Sequence, residues 1–449
     1  MAILAPFRGI FYNQERIRDM SLVVTPPYDV ISKEDQDRYH KRHPYNTVRL
    51  VLGKDHLGDN DKVNKYTRAA DYLDSWRKDG ILRTDSLPSI YHYQQRFEIK
   101  GKERKTRKGF ITLVKLEDFD SGVVLPHEKT MKGPKADRLR LMESCNANLS
   151  PIFSLYSDPE KNIDRIIEKD RSTHPFIDFT DDEETRHQLW RIDDKDVIRE
   201  VINWMEGLSL FIADGHHRYE TALNYSLQMK EKSANFNGNE AYSYVMMYLS
   251  NMDDEGMVIL PCHRLLCDVD DFDPSRFGER AADFFHIEEF GFNSGNELEV
   301  RRELFARLEK NGERQHTFGM YVKGANHYTV LTLKSEELVD SGVMDNIPPV
   351  LRRLDVNIFQ TFVLKGIFGI NDQNMESQKN VTFIEDADAA IELVEKDKYQ
   401  LVFLMNPTKI KQVNDAACAR VRMPQKSTFF YPKLSSGLVL NSIEGVVSG

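Results

Sequence analysis

The chain has 449 residues, of which 40% are hydrophobic and 29% are charged, a composition typical of a soluble protein with two or three cores. The 61 Lys and Arg residues are outnumbered by 71 Asp and Glu residues, and the net charge of −10 argues against a general nucleic-acid-binding protein. The opening MAILAPFRGIFYN lacks the features of a signal peptide, and no apolar run is long enough to span a membrane, so we expect a cytoplasmic protein.

The N-terminal region contains a turn, a helix and a hairpin. Pro26, Pro27, Tyr28 and Asp29 form a turn sequence in which Asp29 is a candidate contact for an ammonium group or a metal ion, although such turns more often have a structural role. A helical pattern follows around residues 66–76. SIYHYQQRFEI and KGFITLVKL flank the basic segment KGKERKT and predict a β-hairpin.

The segment LPHEKTMKGPKADRLRLMESCNAN, residues 125–148, combines a carboxylate with basic residues ahead of a predicted helix. Glu128 is a candidate general base that would remove a proton from a hydroxyl nucleophile. Lys132, Lys135 and Arg138 are candidate contacts for phosphate oxygens. The segment is not an HExxH zinc motif. A solvated charged loop is the alternative interpretation.

The segment LSLFIADGHHRYETAL, residues 208–223, contains the strongest candidate site. An apolar run predicts a buried strand, and the spacing of apolar residues after it predicts a helix. Free N–H groups at a helix N-terminus attract anions, an arginine can clamp two oxygens, and an aspartate can hold a divalent cation. Histidines that only satisfy buried hydrogen bonds are the alternative. The junction consists of Asp214, Gly215, His216, His217 and Arg218.

Further along the chain, the patterns combine hairpins with βα units. SYVMMYLSN and MVILPCHRLL flank an acidic turn that ends in Gly256 and predict a second hairpin, and HTFGMYV and HYTVLTL predict a third. NVTFIED, ADAAIELVEKD, YQLVFLMN and PTKIKQVNDAACAR predict a C-terminal β-α-β-α order. The chain is therefore expected to have an α+β fold with mixed sheets, divided into residues 1–118, 119–270 and 271–449.

Two weaker candidate sites lie in the last two regions. In LPCHRL, His263 and Arg264 end a predicted strand, where such a pair is often only a surface feature. In MPQKSTFFYPKLSSGL, Lys426, Ser427 and Thr428 could bind phosphate, but no glycine precedes the lysine as a Walker loop requires. Arg264 and Lys426 are second-rank candidates for the same anion as the DGHHR segment.

Four segments together resemble a widespread bacterial and archaeal family long described as having no known function. They are ADGHHRYETAL, LPHEKTMKGPKADRLRLMESCNANLSPIF, RRLDVNIFQTFVL and MPQKSTFFYPKLSSGLV, and they extend over nearly the whole chain. The DGHHR turn also resembles the ParB/sulfiredoxin-like superfamily, which includes free-serine kinases that use ADP or pyrophosphate. Cys262 stands where the family's LPTHR-like segment would have a threonine.

The resemblance implies a ParB/sulfiredoxin-like core in residues 119–270, with Glu128 as the catalytic glutamate and residues 214–218 as the phosphate- and Mg²⁺-binding turn. With the residue chemistry, it predicts a phosphotransferase that converts free L-serine to O-phosphoserine with pyrophosphate or ADP. Asp214 would be a metal ligand or an orienting group, and His216, His217 and Arg218 would clamp the phosphoryl group. A phosphoserine phosphatase or other phosphohydrolase and a ParB-like nucleotide-binding regulator remain alternatives, and the oligomeric state is open.

Overall fold

The computed structural model describes all residues except 100–102, 129, 131, 270–271, 372–373, 375–378, 397 and 448–449, and the side chain of Lys132. The described chain forms two compact units. The first unit contains residues 1–258 and 430–449, and the second contains residues 259–429. The second unit is therefore inserted into the sequence of the first.

The first unit is built on a nine-stranded mixed sheet with the order β6-β11-β8-β12-β5-β4-β10-β9, in which β1 also pairs with β5. Its strands are β1 Leu4–Ala5, β2 Ile10–Tyr12, β3 Leu82–Thr84, β4 Ile90–Glu98, β5 Arg104–Lys115, β6 Val124–Pro126, β7 Ala147–Asn148, β8 Ile152–Tyr156, β9 Ile177–Thr180, β10 Arg186–Ile192, β11 Leu210–Asp214 and β12 Tyr244–Asn251. Its α-helices are α1 Lys33–Arg42, α2 Val48–Val51, α3 Lys65–Lys78, α4 Lys132–Cys145, α5 Asn162–Asp170, α6 Lys195–Met205 and α7 His216–Lys232.

Local signals predicted several of these elements. Helix α3 covers the expected residues 66–76, and it starts where the Asn64 side chain accepts hydrogen bonds from the backbone N–H groups of Tyr66 and Thr67. Strands β4 and β5 form the first predicted hairpin, with Tyr91 opposite Ile111. The middle of its expected turn, residues 100–102, lies outside the described residues.

The second predicted hairpin is wrong. Strand β12 pairs in an antiparallel arrangement with β5 and in a parallel arrangement with β8, so both of its edges are occupied within the sheet. The acidic turn ending in Gly256 therefore leads the chain away from β12. A turn signal in the sequence cannot reveal that distant strands already occupy both edges of β12.

The core of the first unit fixes the position of strand β11 and helix α7. Strand β11 lies between β6, to which it is parallel, and β8, to which it is antiparallel. A strand that is buried on both faces is a continuous apolar run. Strand β11 is apolar and buried from Leu210 to Ala213, and Asp214 is its first polar residue. Tyr219 and Ala222 of α7 pack in one cluster with apolar residues of β11, α5 and α6. The residues just before Tyr219 are thereby held at the end of β11.

The second unit is a six-stranded sheet with the order β15-β17-β16-β19-β14-β18. The remaining strands of the chain are β13 Val258–Leu260, β14 His263–Leu266, β15 Phe285–Gly291, β16 Thr317–Val322, β17 His327–Leu333, β18 Val381–Ile384, β19 Leu401–Leu404, β20 Phe429–Tyr431 and β21 Asn441–Ser442. The α-helices of the second unit are α8 Pro274–Ala281, α9 Glu297–Gly312, α10 Pro349–Arg352, α11 Asp355–Ile358, α12 Ala387–Glu395 and α13 Ile410–Cys418, and this unit also has a π-helix at Phe359–Ile367.

Both structural predictions for the second unit are confirmed. Strands β16 and β17 form the third hairpin, and β18, α12, β19 and α13 follow the expected β-α-β-α order. Neighbouring residues of β14 join different clusters: Leu265 packs with α9 and α12, and Leu266 packs with α8 and the π-helix. Apolar groups therefore cover both faces of this sheet.

The fold is α+β with mixed sheets, as expected from the sequence. The division into units differs from the three expected regions, because β4 and β5 of residues 1–118 pair with β10 and β12 of residues 119–270. Among the described residues, no helix combines the length and apolarity needed to cross a bilayer.

Candidate active site

The DGHHR segment forms the predicted strand-to-helix junction. Strand β11 ends at Asp214 and helix α7 begins at His216, with Gly215 between them at a φ of 93°. A side chain at this position would be strained, and its Cβ would lie 2.9 Å from Nη2 of Arg218. Gly215 therefore allows Arg218 to fold back over the turn towards the end of β11.

Asp214 lies between two cations. The Lys433 ammonium donates to Oδ1 of Asp214 at 2.9 Å, and Nη2 of Arg218 donates to Oδ2 at 2.9 Å. All three side chains are largely buried, with at most 18% exposed. Burial alone would raise the pKa of Asp214, but Lys433 and Arg218 outweigh it and hold this pKa well below its usual value. The carboxylate is therefore ionised at neutral pH.

Two further carboxylates act electrostatically on Lys433. Burial would lower the pKa of the Lys433 ammonium, but the charges of Asp214, Asp29 and Glu128 raise it above its usual value. Glu128 and Asp29, both candidates from the sequence, therefore lie within electrostatic range of the cation that pairs with Asp214. The result is a cluster with alternating charges at the end of β11.

Two buried histidines hold the backbone beside Glu128. Nδ1 of His127 lies 2.6 Å from the carbonyl oxygen of Ile212, and because a carbonyl only accepts, Nδ1 carries the proton. The backbone N–H of His127 donates to Nε2 of His216 at 3.3 Å, and the two rings make an edge-to-face contact. Burial lowers the pKa of His127 to about 4. His216 thus supports the loop that carries Glu128.

The other phosphate candidates of this unit differ in their surroundings. Lys135 donates to Oε2 of Glu220 at 2.8 Å, an ion pair between α4 and α7. Arg138 donates to the carbonyl of Val51 at 2.7 Å, and its guanidinium lies 3.9 Å from the centre of the Tyr28 ring. His217 is half-buried in the first turn of α7.

Arg138 and Arg218 line the same small cavity. It has a volume of about 50 Å³, and Tyr28, Ser150 and Thr221 add polar atoms to its wall. Burial raises the pKa of Tyr28 to about 12, so its hydroxyl remains protonated at neutral pH. Arg138 therefore lies beside Arg218 at this cavity, whereas the Lys135 ammonium is paired with Glu220.

Lys433 and the residues that hold it were not among the sequence candidates. Arg107 is fully buried on β5, donates to the carbonyl of Pro432 at 2.5 Å and also bonds the side-chain oxygen of Gln95. Gln95 in turn donates to the Lys433 carbonyl at 2.9 Å. The Arg107 guanidinium stacks on Phe153, which lies opposite Asp214 in the sheet. The two carbonyls are therefore fixed by side chains from β4 and β5.

The remaining sequence candidates lie in the second unit. The Arg264 guanidinium is buried and donates to the carbonyls of Cys262 and Lys426, the latter at 3.2 Å. The Ser427 hydroxyl donates to the Pro424 carbonyl at 2.6 Å, and Thr428 is half-buried. Arg264 and Ser427 thus satisfy main-chain carbonyls within their own unit.

The residues around Asp214 fit Mg²⁺ only in combination with a phosphate ligand. Among the described residues, no group of three or more acidic, histidine or cysteine side chains is arranged to hold a metal ion. Mg²⁺ commonly binds through one or two carboxylates, several waters and substrate phosphates. Asp214 would supply a carboxylate, although both of its oxygens already accept from cations.

The chain belongs to the DUF1015 family, described as proteins of unknown function, whose profile matches residues 4–357. No curated protein matches the chain. Among solved structures, it is similar to a conserved hypothetical protein from Pyrococcus furiosus at 12% identity and a TM-score of 0.33, covering 70% of this chain and 89% of the other.

Two further solved structures show a similarity of the same kind. A free serine kinase in complex with AMP is 11% identical, with a TM-score of 0.33, and the match covers 69% of this chain and 83% of the kinase. The C-terminally truncated SbnI from Staphylococcus aureus is 9% identical, with a TM-score of 0.34, covering 75% of this chain and 87% of the other.

Proposed function

We propose that the first unit transfers a phosphoryl group from pyrophosphate or ADP to the hydroxyl of free L-serine, giving O-phosphoserine. The observation that carries the proposal is the position of Asp214 between Lys433 and Arg218, each 2.9 Å away, at the N-terminus of α7. Phosphoryl transfer requires fixed cations around the non-bridging oxygens more than it requires covalent chemistry by the protein.

In the proposed reaction, Glu128 accepts the proton of the serine hydroxyl. The hydroxyl oxygen forms a bond to the terminal phosphorus of the donor while the bond from that phosphorus to the bridging oxygen breaks. The bridging oxygen leaves with its electron pair, as inorganic phosphate from pyrophosphate or as AMP from ADP. Arg218 and Lys433 stabilise the negative charge on the transferred group and the leaving group.

The N-terminus of α7 adds a second source of positive potential. The first N–H groups of a helix have no carbonyl acceptor within the helix, and the helix dipole favours an anion at this end. We assign the donor phosphates to this end of α7, with His217 and Arg218 as side-chain contacts. Arg138, which lines a cavity with Arg218, is a further contact.

Asp214 and His216 have orienting roles in the proposal. Asp214 keeps the two cations at one point, and His216 accepts the hydrogen bond that holds the backbone next to Glu128. Asp214 would hold Mg²⁺ together with the donor, and the ion would neutralise charge on the phosphate oxygens.

The proposal is tested by incubating the purified full-length protein with L-serine, Mg²⁺ and, separately, pyrophosphate, ADP or ATP. We expect O-phosphoserine in the mass spectrum with pyrophosphate or ADP. A matched reaction without L-serine measures hydrolysis of the donor. Phosphate release with no phosphoserine would instead identify a phosphohydrolase.

The two alternative functions have their own tests. Conversion of added O-phosphoserine to serine without any phosphate acceptor would indicate a phosphatase. A ParB-like regulator would bind CTP without consuming it and would bind DNA with a strong dependence on salt. Either result, together with no phosphoserine from any donor, would contradict the kinase proposal.

A further inference from the structure

A second cavity in the first unit reaches Lys433 from another direction. It has a volume of about 220 Å³, below the range of about 300–1,000 Å³ that is typical for drug-sized ligands, so it suits a small molecule. Its walls come from the segment before Pro26, helix α1, the turn between β9 and β10, and the segment that follows Pro432.

The lining of this cavity has balanced charges. Pyrophosphate would be matched by a cationic lining, whereas a zwitterion requires both signs. Nη2 of Arg42 pairs with Asp182 at 2.5 Å, and Nη1 of Arg38 lies 3.7 Å from the same carboxylate. Three cationic and three acidic side chains contribute to the wall: Arg38, Arg42, Lys433, Asp181, Asp182 and Glu183.

Asp181 is held rigidly and has acceptor capacity left. Its Oδ1 accepts from the backbone N–H groups of Glu183 and Thr185, each at 2.9 Å, and its Oδ2 lies 2.9 Å from Nε2 of the buried His187. Nδ1 of His187 is in turn 2.6 Å from the Tyr93 hydroxyl. A carboxylate has about four acceptor positions, so these three bonds leave one for a ligand.

Thr25 supplies an independent sign that a polar ligand binds here. It lines the cavity, is 2% exposed, and its hydroxyl has no hydrogen-bond partner among the described residues. Buried hydroxyls are normally bonded, because leaving one unsatisfied costs about 1–3 kcal/mol. Its backbone is fixed by paired hydrogen bonds with Ser436, so the hydroxyl is held next to the segment that carries Lys433.

We propose that this cavity binds the acceptor amino acid of the reaction, an inference that rests on the proposed function. The ammonium group of the zwitterion bonds Asp181, its carboxylate lies between Arg42 and the Thr25 hydroxyl, and its side-chain hydroxyl points to Lys433. Lys433, which lines this cavity and pairs with Asp214, then lies where the acceptor hydroxyl meets the donor phosphates. The cavity therefore selects a small α-amino acid with a side-chain hydroxyl.

The test compares the KM for L-serine with the KM for pyrophosphate in Arg42→Met, Thr25→Val and the control Arg186→Met. Arg186 lies in the same β-hairpin but pairs with Asp178 outside the cavity. We expect Arg42→Met to raise the KM for serine about tenfold or more, and Thr25→Val about fivefold, with the KM for pyrophosphate changed less than about twofold. Arg186→Met should leave both constants unchanged.

Binding of L-serine without a donor, followed by NMR titration of the wild type and both cavity variants, separates this proposal from the proposed function. Weaker serine binding in both variants supports the cavity even if no donor yields phosphoserine, in which case only the kinase proposal fails. If the KM for serine and the binding of serine are unchanged in Arg42→Met and Thr25→Val, or if only the KM for pyrophosphate rises, the cavity is not the acceptor site.

Discussion

Arg218 in the first unit and Arg264 in the second unit have similar sequence contexts but different partners. Each follows a histidine and was a phosphate candidate, but Arg218 lies in the first turn of α7, whereas Arg264 lies at the start of β14 and not at the strand end that the sequence predicts. Arg218 donates to the carbonyl of Pro151 and also to the Asp214 carboxylate, next to a second cation, whereas the described hydrogen bonds of Arg264 go only to the carbonyls of Cys262 and Lys426. A carboxylate acceptor, rather than the residue type, therefore distinguishes the catalytic candidate from the structural arginine.

Their neighbouring histidines show the same contrast. His216 supports the loop that carries Glu128, while Nδ1 of His263 accepts from the backbone N–H of Met405 at 3.0 Å within the second unit. In the first unit, several ionised groups meet at one strand end. In the second, the same residue types bind the main chain. Changes in the first unit should therefore affect turnover, and matched changes in the second should affect stability.

The largest expected effect is that of Glu128→Gln. Removal of a general base costs typically about 10²–10⁴-fold in rate, so transfer to serine should fall by this factor while pyrophosphate binding is nearly unchanged. Turnover and calorimetric binding measure the two quantities. The control is Glu143→Gln, an exposed glutamate on α4. Loss of pyrophosphate binding in Glu128→Gln would show that Glu128 is structural or binds metal.

Asp214→Asn should reduce turnover by about 10²–10³-fold, because Lys433 and Arg218 lose the carboxylate that holds them together. Asp178→Asn is the matched control, since it removes a partly exposed ion pair with Arg186 that is worth at most about 1 kcal/mol. Steady-state kinetics at saturating serine provide the comparison. Wild-type turnover in Asp214→Asn would remove Asp214 from the proposed site.

Arg264→Met should leave turnover unchanged and destabilise the second unit. The substitution leaves the carbonyls of Cys262 and Lys426 without their donor, at about 1–3 kcal/mol for each buried group. Hydrogen exchange of the β14 and β19 amides measures the loss. Arg280→Met is the control, because Arg280 also donates to carbonyls but is exposed. A drop in turnover without a change in exchange would contradict the structural role of Arg264.

Acidification should weaken the first unit by a smaller amount through His127. Its pKa in the folded state is lowered by burial to about 4, so between about pH 6.5 and pH 4 the unfolded chain binds a proton that the folded chain does not. The free energy of unfolding therefore has its full value above about pH 6.5. It falls as the pH decreases, and His127 lowers it by about 2 kcal/mol at pH 5.

His127→Asn should remove this part of the pH dependence. Trp76, Trp190 and Trp204 all lie in the first unit, so urea unfolding followed by tryptophan fluorescence reports on that unit. His263→Asn is the matched control in the second unit, where burial also lowers the pKa of the histidine, to about 3. An unchanged difference in midpoint between pH 7 and pH 5 in His127→Asn would show that His127 is not the titrating group.

The sequence predicted features that depend on near neighbours in the chain. The β11–α7 junction follows from an apolar run, a glycine and helical spacing within 16 residues, and two of the three hairpins follow from their turns. The burial of Arg107 was harder to predict, because Arg107 lies in a basic run that resembles a solvated strand end. The one signal for its burial is the two-residue spacing to Gly109 and Ile111, which places all three residues on the same face of β5.

Features that depend on distant pairing could not be predicted in this way. Lys433 meets Asp214 across 219 positions of sequence, and no local period indicates that contact. The insertion of the second unit has the same origin, since residues 430–449 rejoin the first unit after the second has ended. The triplet Lys426-Ser427-Thr428, at the end of the second unit, is chemically more conspicuous than Lys433.

This late return of the chain affects the protein during its synthesis. Ribosomes release the N-terminal part first, at about 5–20 residues per second, so residues 1–258 emerge many seconds before Lys433. A nascent or prematurely terminated chain therefore has Asp214, Arg218 and Glu128 but lacks the ammonium that joins them. The proposed activity can begin only when translation has passed the whole second unit, which makes completion of the polypeptide a condition for catalysis.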